Sequence, residues 1–272
     1  MGVNLIYARA RITRPGAWWS CGANAPAWIL ALALAIGAGA ANAHASEPEV
    51  GTAVLAKPTV LGIRGADERP LKTGSRVFRN ELVRTGPNAQ VELKLDDNTK
   101  LALGPDAELR LDEFVVAPGD GARSIAVRLL KGTLRFLTGR HSSESYKIET
   151  PSATIGVRGT VFDIYIGPQG DTFVLLHKGE VEVCSRARSC RSHRRVGRVI
   201  HATPLGVVSQ PVKWSANLVR GIGVRQAFPF VGRKLVVDPV RRLSHKSITD
   251  DLRVLDKGGQ SIERTLRKIS PF

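Results

Sequence analysis

Cysteine is scarce. The chain has only Cys21, Cys184 and Cys190 in 272 residues, so a four-cysteine zinc module is excluded. Aromatic residues make up 6% of the chain, too few for large stacking surfaces. No Walker or dinucleotide-type glycine loop follows a strand and opens a helix. No nucleophile, base and acid fall into a recognisable arrangement. His141, His177, His193, His201 and His245 are scattered along the chain and read as surface or packing residues. Asp96-Asp97 and Asp112-Glu113 are adjacent carboxylates, yet catalytic pairs need convergence in space. Asp96-Asp97-Asn98 supplies too few oxygens for a calcium loop and reads as turn chemistry. The expectation is a protein without catalytic residues, metal or cofactor.

Acid is short as well, with 24 Asp/Glu against 40 Lys/Arg, a net charge of +16. Such a balance points to nucleic acid or another acidic surface as partner. The excess is uneven. Residues 46–184 hold 18 Lys/Arg and 19 Asp/Glu, a net of −1, whereas residues 185–272 hold 19 and 5, a net of +14. The change of character near Cys184 marks the expected boundary between a domain at 46–185 and a basic extension at 186–272.

Long hydrophobic runs are missing too. The run from Ala27 to Ala41 is about 15 residues, short of the roughly 20 that span a bilayer. Arg9, Arg11 and Arg14 precede it, and the small-x-small sites Ala41-Asn42-Ala43 and Ala43-His44-Ala45 follow. That is the layout of a secretory signal, and no tight arginine pair marks twin-arginine export. Residues 1–45 are expected to be removed, leaving a periplasmic chain that starts at His44 or Ser46. An uncleaved membrane anchor is the alternative. Export takes nucleic acid out of the list of partners. It also removes Cys21, and an even pair with five residues between them in an oxidising compartment reads as a Cys184–Cys190 disulfide. The set Cys184, Cys190, His193 and His201 fits no common zinc spacing.

What is present is alternation. Gln90–Leu95, Lys100–Leu103 and Glu108–Asp112 alternate apolar and polar residues, the period of half-buried strands. Turn residues punctuate them: Gly65–Arg69 reads as a polar turn, Asp96–Asn98 as a hairpin turn, and Lys178-Gly179-Glu180 as another turn. Ile125–Leu130 and Gly132–Leu137 read as successive strands. Short strands at steady spacing indicate an all-β sandwich, roll or short β-solenoid. The densest block runs from Tyr146 to Val183. In it Gly156 and Gly159 flank Val157-Arg158 within a β-type run, which indicates a bulge or a close backbone approach. Arg158 either pairs at this corner or binds a ligand.

That block resembles the signature of the FecR domain family. The matching residues are Thr150, Pro151, Ala153, Ile155, Val157, Arg158, Gly159 and Thr160, then Gly179, Val181 and Val183. Further similarities are Val77, Glu81, Val83 and Thr85-Gly86, then Asp97-Asn98-Thr99 with Leu101, Leu103 and Gly104, and Leu130, Gly132, Leu134 and Arg135. Asn98 stands where the family usually has glycine, and asparagine tolerates positive φ. The resemblance covers roughly residues 50–185 and implies an all-β FecR-type domain in the periplasm.

FecR proteins of the iron-uptake type sense an outer-membrane receptor and control a sigma factor, through a cytoplasmic segment that precedes a membrane span. About 25 residues precede the apolar run in this chain, below the range of a folded domain. The resemblance therefore implies an exported binding or signalling module that recognises a protein, or an anionic lipid or polysaccharide of the envelope. A membrane-anchored sigma-factor regulator is the alternative, and an envelope-acting enzyme ranks behind both. Beyond residue 185, Val196–Ile200 and Val231–Val237 read as strands. Asp250–Leu255 and Ser261–Ile269 read as short helices, the second with Ile262, Leu266 and Ile269 on one face.

Overall fold

The computed structural model describes residues 47–116, 123–139, 146–215 and 218–249. The proposed signal segment, His141, the side chain of Arg158 and the helices expected at Asp250–Leu255 and Ser261–Ile269 lie outside the described residues. The regular structure of the described chain is nearly all strand, as expected. In chain order the first eight strands are β1 (Glu49–Lys57), β2 (Val60–Arg64), β3 (Asp67–Pro70), β4 (Arg76–Phe78), β5 (Leu82–Thr85), β6 (Gln90–Leu95), β7 (Lys100–Leu103) and β8 (Glu108–Val116). Then come β9 (Arg123–Leu137), β10 (Tyr146–Glu149), β11 (Ala153–Ile166), β12 (Thr172–Ser185), β13 (Cys190–His193) and β14 (Val199–Ala202), with one-turn helices α1 (Val224–Ala227) and α2 (His245–Ile248).

The pairings sort these strands into two layers. One runs β3-β2-β5-β8, then the first half of β9, β10, the first half of β11, the second half of β12 and β13. The other runs β4-β1-β6-β7, then the second halves of β9 and β11, the first half of β12 and β14. β9, β11 and β12 therefore belong to both. Each changes partners at a glycine of positive φ: Gly132 (+80°), Gly159 (+60°) and Gly179 (+83°). A Cβ on Gly132 would lie 2.5 Å from Ala107 Cα, and one on Gly179 would lie 2.5 Å from the Gly159 carbonyl oxygen. Only glycine fits both the dihedral and the space.

These corners correct the strand count expected from the sequence. Ile125–Leu130 and Gly132–Leu137 are two halves of one strand, because the chain bends at Gly132 without leaving the sheet. Lys178-Gly179-Glu180 is likewise a bend inside β12 and not a turn. Gly65–Arg69 does not remain a loop, since Asp67–Pro70 returns along β2. Asn98 takes the turn position at φ 68°, as its tolerance of that region anticipates.

The main core lies between the layers. It joins Leu93, Leu101, Leu134, Phe136, Phe162 and Ile164 to Val83, Leu109, Val127, Ile148, Ile155 and Val183. Phe136 stacks on Phe162 and meets Tyr146 edge-on.

The outward side of the second layer is also buried, and the chain after residue 202 covers it. Tyr165, Phe173, Leu175 and Val199 of the sheet pack with Trp214, Ala227, Phe228, Val231 and Ile248. Trp214 meets Tyr165, Phe173 and Phe228 edge-to-face at 5.3–6.4 Å. Beside them Ala102 packs with Phe230, Leu235 and Val237. Tyr165, Phe173, Trp214 and Phe228 thus form a second buried aromatic group, apart from Phe136, Tyr146 and Phe162 in the main core. The cover is held by few regular hydrogen bonds: Val231–Val237, expected as a strand, is irregular, because its partners are side chains. The backbone N–H of Val237 donates to Glu92 Oε2 (2.8 Å), and the Thr133 hydroxyl donates to the Ala227 carbonyl (2.9 Å). The charge break at Cys184 is accordingly no break in the fold. β13 and β14 both pair with β12, and the described residues form one compact unit.

Candidate binding site

The residues singled out in the sequence divide into a scaffold group and a corner group. Thr150, Pro151, Ser152 and Ala153 form the tight connection from β10 to β11. The Thr150 hydroxyl accepts from the Ala153 N–H (2.9 Å), and the hydroxyls of Thr150 and Ser152 each lie within 2.8 Å of the Thr172 hydroxyl. This buried network ties the connection to β12. Ile155 and Val157 enter the main core. Gly159 and Thr160 sit at the corner where β11 changes layers, and a register shift between Arg158 and Val161 marks it.

Three residues past that corner lies a group of charges that the sequence reading did not assemble. Arg135 of β9 stands directly opposite Asp163 of β11, both on the outward side of the second layer. Arg135 Nε donates to Asp163 Oδ1 (2.6 Å) and Nη2 to Oδ2 (2.8 Å), the bidentate geometry of a strong pair. His177 Nε2 lies 3.0 Å from Asp163 Oδ2. Asp238, from the cover, lies 3.6 Å from Arg135 Nη1 and also pairs with Arg242. The ring of Phe230 lies over the Arg135 guanidinium at 5.7 Å. Arg135, Asp163, His177 and Asp238 are all buried. Burial pushes the Asp163 carboxyl up, but Arg135 and then His177 outweigh it and hold it well below the usual carboxylate range. Burial likewise opposes the Arg135 charge, and Asp163 raises its pKa above the ordinary value. Sealed under the cover, this cluster fastens the cover to the sheet. Arg135 belongs to the family pattern read in the sequence, whereas nothing in the sequence singles out Asp163. His177 proves to belong to the cluster and is no surface residue.

The disulfide expected from the spacing is present. Cys184 and Cys190 face each other across β12 and β13, with Cα atoms 4.0 Å apart. The alternative zinc set does not assemble. Nδ1 of His193 accepts from the Arg195 N–H, and its Nε2 lies 3.0 Å from the Arg198 carbonyl. Burial pushes the His193 pKa down, which suits that neutral arrangement. His201 pairs with Asp171 and stacks on Phe173. Asp97, at the hairpin turn, accepts from the Thr99 N–H, the Thr99 hydroxyl and the Tyr146 hydroxyl, so it serves the turn.

Two concavities stand out among the described residues. The larger, about 760 Å³, lies near the Gly132 corner and is lined by five prolines, with Asp106 set among Lys131 and Arg225. The smaller, about 430 Å³, lies at the Gly159–Thr160 corner. We favour the smaller because its lining charges have one sign. Outside the cavities, the surface of the described residues is also one-signed after Cys184. Residues 185–249 carry 14 Lys/Arg and one acid, Asp238, and Asp238 is 1% exposed. The markedly exposed large aliphatics among the described residues, including Leu205 (92%) and Val207, fall in the same stretch. Leu205-Gly206-Val207 rests against Ala187, beside the exposed Arg186 and Arg188.

Residues 81–182 match the sequence model of the family described as FecR protein. Two crystal structures of a candidate anti-sigma factor from Parabacteroides distasonis, at 2.50 and 1.65 Å, are similar to the chain, with 18% and 14% identity and a TM-score of 0.39 in both cases. The first similarity covers 48% of this chain and 59% of the other, and the second covers 66% and 90%. The chain thus spans less than two thirds of the first of these, and a likeness at this level carries no argument about function. No curated protein matches the chain.

Proposed function

With residues 81–182 forming a FecR domain, we propose that this chain is a non-catalytic, exported binding and signalling module of the periplasm. It recognises a protein partner or an anionic envelope component, lipid or polysaccharide. The observation that carries the reading is the sign of the described surface at residues 185–249, where the single acid, Asp238, is buried and the exposed charges are basic. A core gains nothing from such a surface. Charge of one sign raises the rate of encounter with an acidic partner and makes attachment salt-sensitive. Leu205 and Val207 beside Arg186 and Arg188 supply an apolar contact within that field, the combination a lasting contact uses. Among the described residues no helix is long and apolar enough to cross a membrane.

The test is a periplasmic pull-down with the full mature chain and an Arg186→Gln/Arg188→Gln/Leu205→Ser variant, at low and high salt. Partners retained at low salt, and lost both at high salt and in the variant, support the reading. Equal recovery by both proteins, independent of salt, sinks it. Mass spectrometry of the N-terminus tests export: a start at His44 or Ser46 is expected, and an intact N-terminus in membranes favours the anchored regulator. Turnover of an envelope substrate moves the protein to the enzyme class.

A further inference from the structure

We propose that the smaller cavity, at the corner of β11, is a binding site for a phosphomonoester group. Its lining includes Lys94 of β6, Lys100 of β7, Lys178 of β12 and Arg242 of the cover, and no acid among the described residues. Arg242 shares its charge with Asp238, whereas Lys94, Lys100 and Lys178 form no ion pair with a described residue. Lysines from three strands line one hollow, Lys94 and Lys178 exposed and Lys100 half-buried, and an anion there would relieve the repulsion of their like charges. The second observation is independent of charge. Thr160 also lines the cavity, and its buried hydroxyl has no hydrogen-bond partner among the described residues. An unpaired buried hydroxyl is costly to a fold, and a phosphate oxygen would accept from it.

Gly139 forms part of the wall, and a Cβ there would lie 2.5 Å from the Asp97 carbonyl oxygen, so only glycine fits against the hairpin turn. The Asp97 carboxylate behind it already accepts three hydrogen bonds, which blunts its repulsion of an anion. At about 430 Å³ the cavity is in the roughly 300–1,000 Å³ range of small-molecule sites. That is room for a phosphate and part of the group that carries it. A doubly charged phosphate suits three lysines better than a carboxylate does.

The experiment titrates the full mature chain with inorganic phosphate and with glycerol 1-phosphate at constant ionic strength, read by calorimetry. In parallel, it measures retention on phosphatidylcholine vesicles containing phosphatidic acid or phosphatidylglycerol. Saturable phosphate binding is expected, weakened at least tenfold in Lys94→Gln/Lys178→Gln and in Thr160→Val. Thr160→Val removes the unpaired hydroxyl at nearly constant shape, so its melting temperature is expected to equal or exceed that of the parent. Retention on phosphatidic acid but not phosphatidylglycerol, lost in the variants, assigns the phosphate to a lipid headgroup. Binding of glycerol 1-phosphate without such retention assigns it to a soluble ester. Phosphate bound no better than chloride, or bound equally by parent and variants, overturns the proposal. Arg186 and Arg188 are intact throughout, so this result is separable from that of the pull-down.

Discussion

Residues 47–185 and residues 203–249 are built on opposite principles, although they end in one compact unit. The first stretch is nearly neutral and regular, with each strand satisfied by neighbouring strands. The second is basic and nearly without regular structure, with two one-turn helices. Yet it buries Trp214, Phe228, Phe230 and Val237 as completely as the sandwich buries its own core. The comparison teaches that a segment need not carry a periodic pattern to be structural. It needs a surface with matching hollows and a few polar anchors. Here the anchors are Thr133, Glu92 and the Arg135–Asp163 pair, all on the outward side of the second layer.

The most damaging way to break that relation is to stop the chain after residue 185. Loss of the cover, and of β13 and β14, exposes Tyr165, Phe173, Leu175 and the buried charges together. At roughly 1.5–3 kcal/mol per large apolar side chain, the loss rivals the roughly 5–15 kcal/mol that stabilises a whole domain. A chain ending at residue 185 is therefore expected to be insoluble or to lack a cooperative melt, and a soluble fragment with native near-ultraviolet dichroism would contradict the role assigned to the cover.

Asp163→Asn comes next. It leaves Arg135 buried without its carboxylate partner, at a cost of about 3–5 kcal/mol, measurable by urea unfolding at neutral pH. Asp163 binds fewer protons folded than unfolded. Its contribution is therefore full above the ordinary carboxylate pKa of about 4 and is lost as pH falls through the lower folded value. The parent is expected to lose stability below pH 4 more steeply than the variant; parallel pH profiles would exclude this account.

Reducing the Cys184–Cys190 bridge has a smaller effect. The closed loop is short, so the loop-entropy argument gives about 2 kcal/mol. Its loss should appear as a modest fall in melting temperature with dithiothreitol, absent in a Cys184→Ser/Cys190→Ser protein. The smallest effect belongs to the open side of the sandwich. Arg76 pairs with Glu49 and Asp96 near solvent, and Arg76→Gln should shift stability by no more than about 1 kcal/mol. A larger loss would mean that exposed pairs in the first stretch do the work assigned to the cover.

Much of the first stretch was legible. Period-2 runs located Gln90–Leu95 and Lys100–Leu103, and the Asp96-Asp97-Asn98 turn was placed with its physical cause. Glycines misled in one way. A glycine inside an apolar run marks a change of direction, but the run alone does not tell whether the strand ends or bends, and Gly132 and Gly179 bend it. The cover was not legible, because the partners of Trp214 and Phe230 are residues on the far side of a sheet that exists only once folded. The same reason hid the ion cluster. Arg135, Asp163 and His177 are 28 and 14 residues apart, and nothing but strand register brings them together. At the smaller cavity Lys94, Lys100 and Lys178 come from three separate strands, which only the folded sheet brings together.

The three strands that bend between the layers have a consequence for how the molecule comes apart. Because β9, β11 and β12 each contribute hydrogen bonds to both sheets, neither sheet can melt without stripping partners from the other. Two stacked sheets would ordinarily permit stepwise loss, with one sheet opening while the other persists. In this chain the slowest amide exchange is expected on both sides of Gly132, Gly159 and Gly179 alike, at the free energy of global unfolding. Protection should then fall off outward, toward β3 and β4 at the free edges.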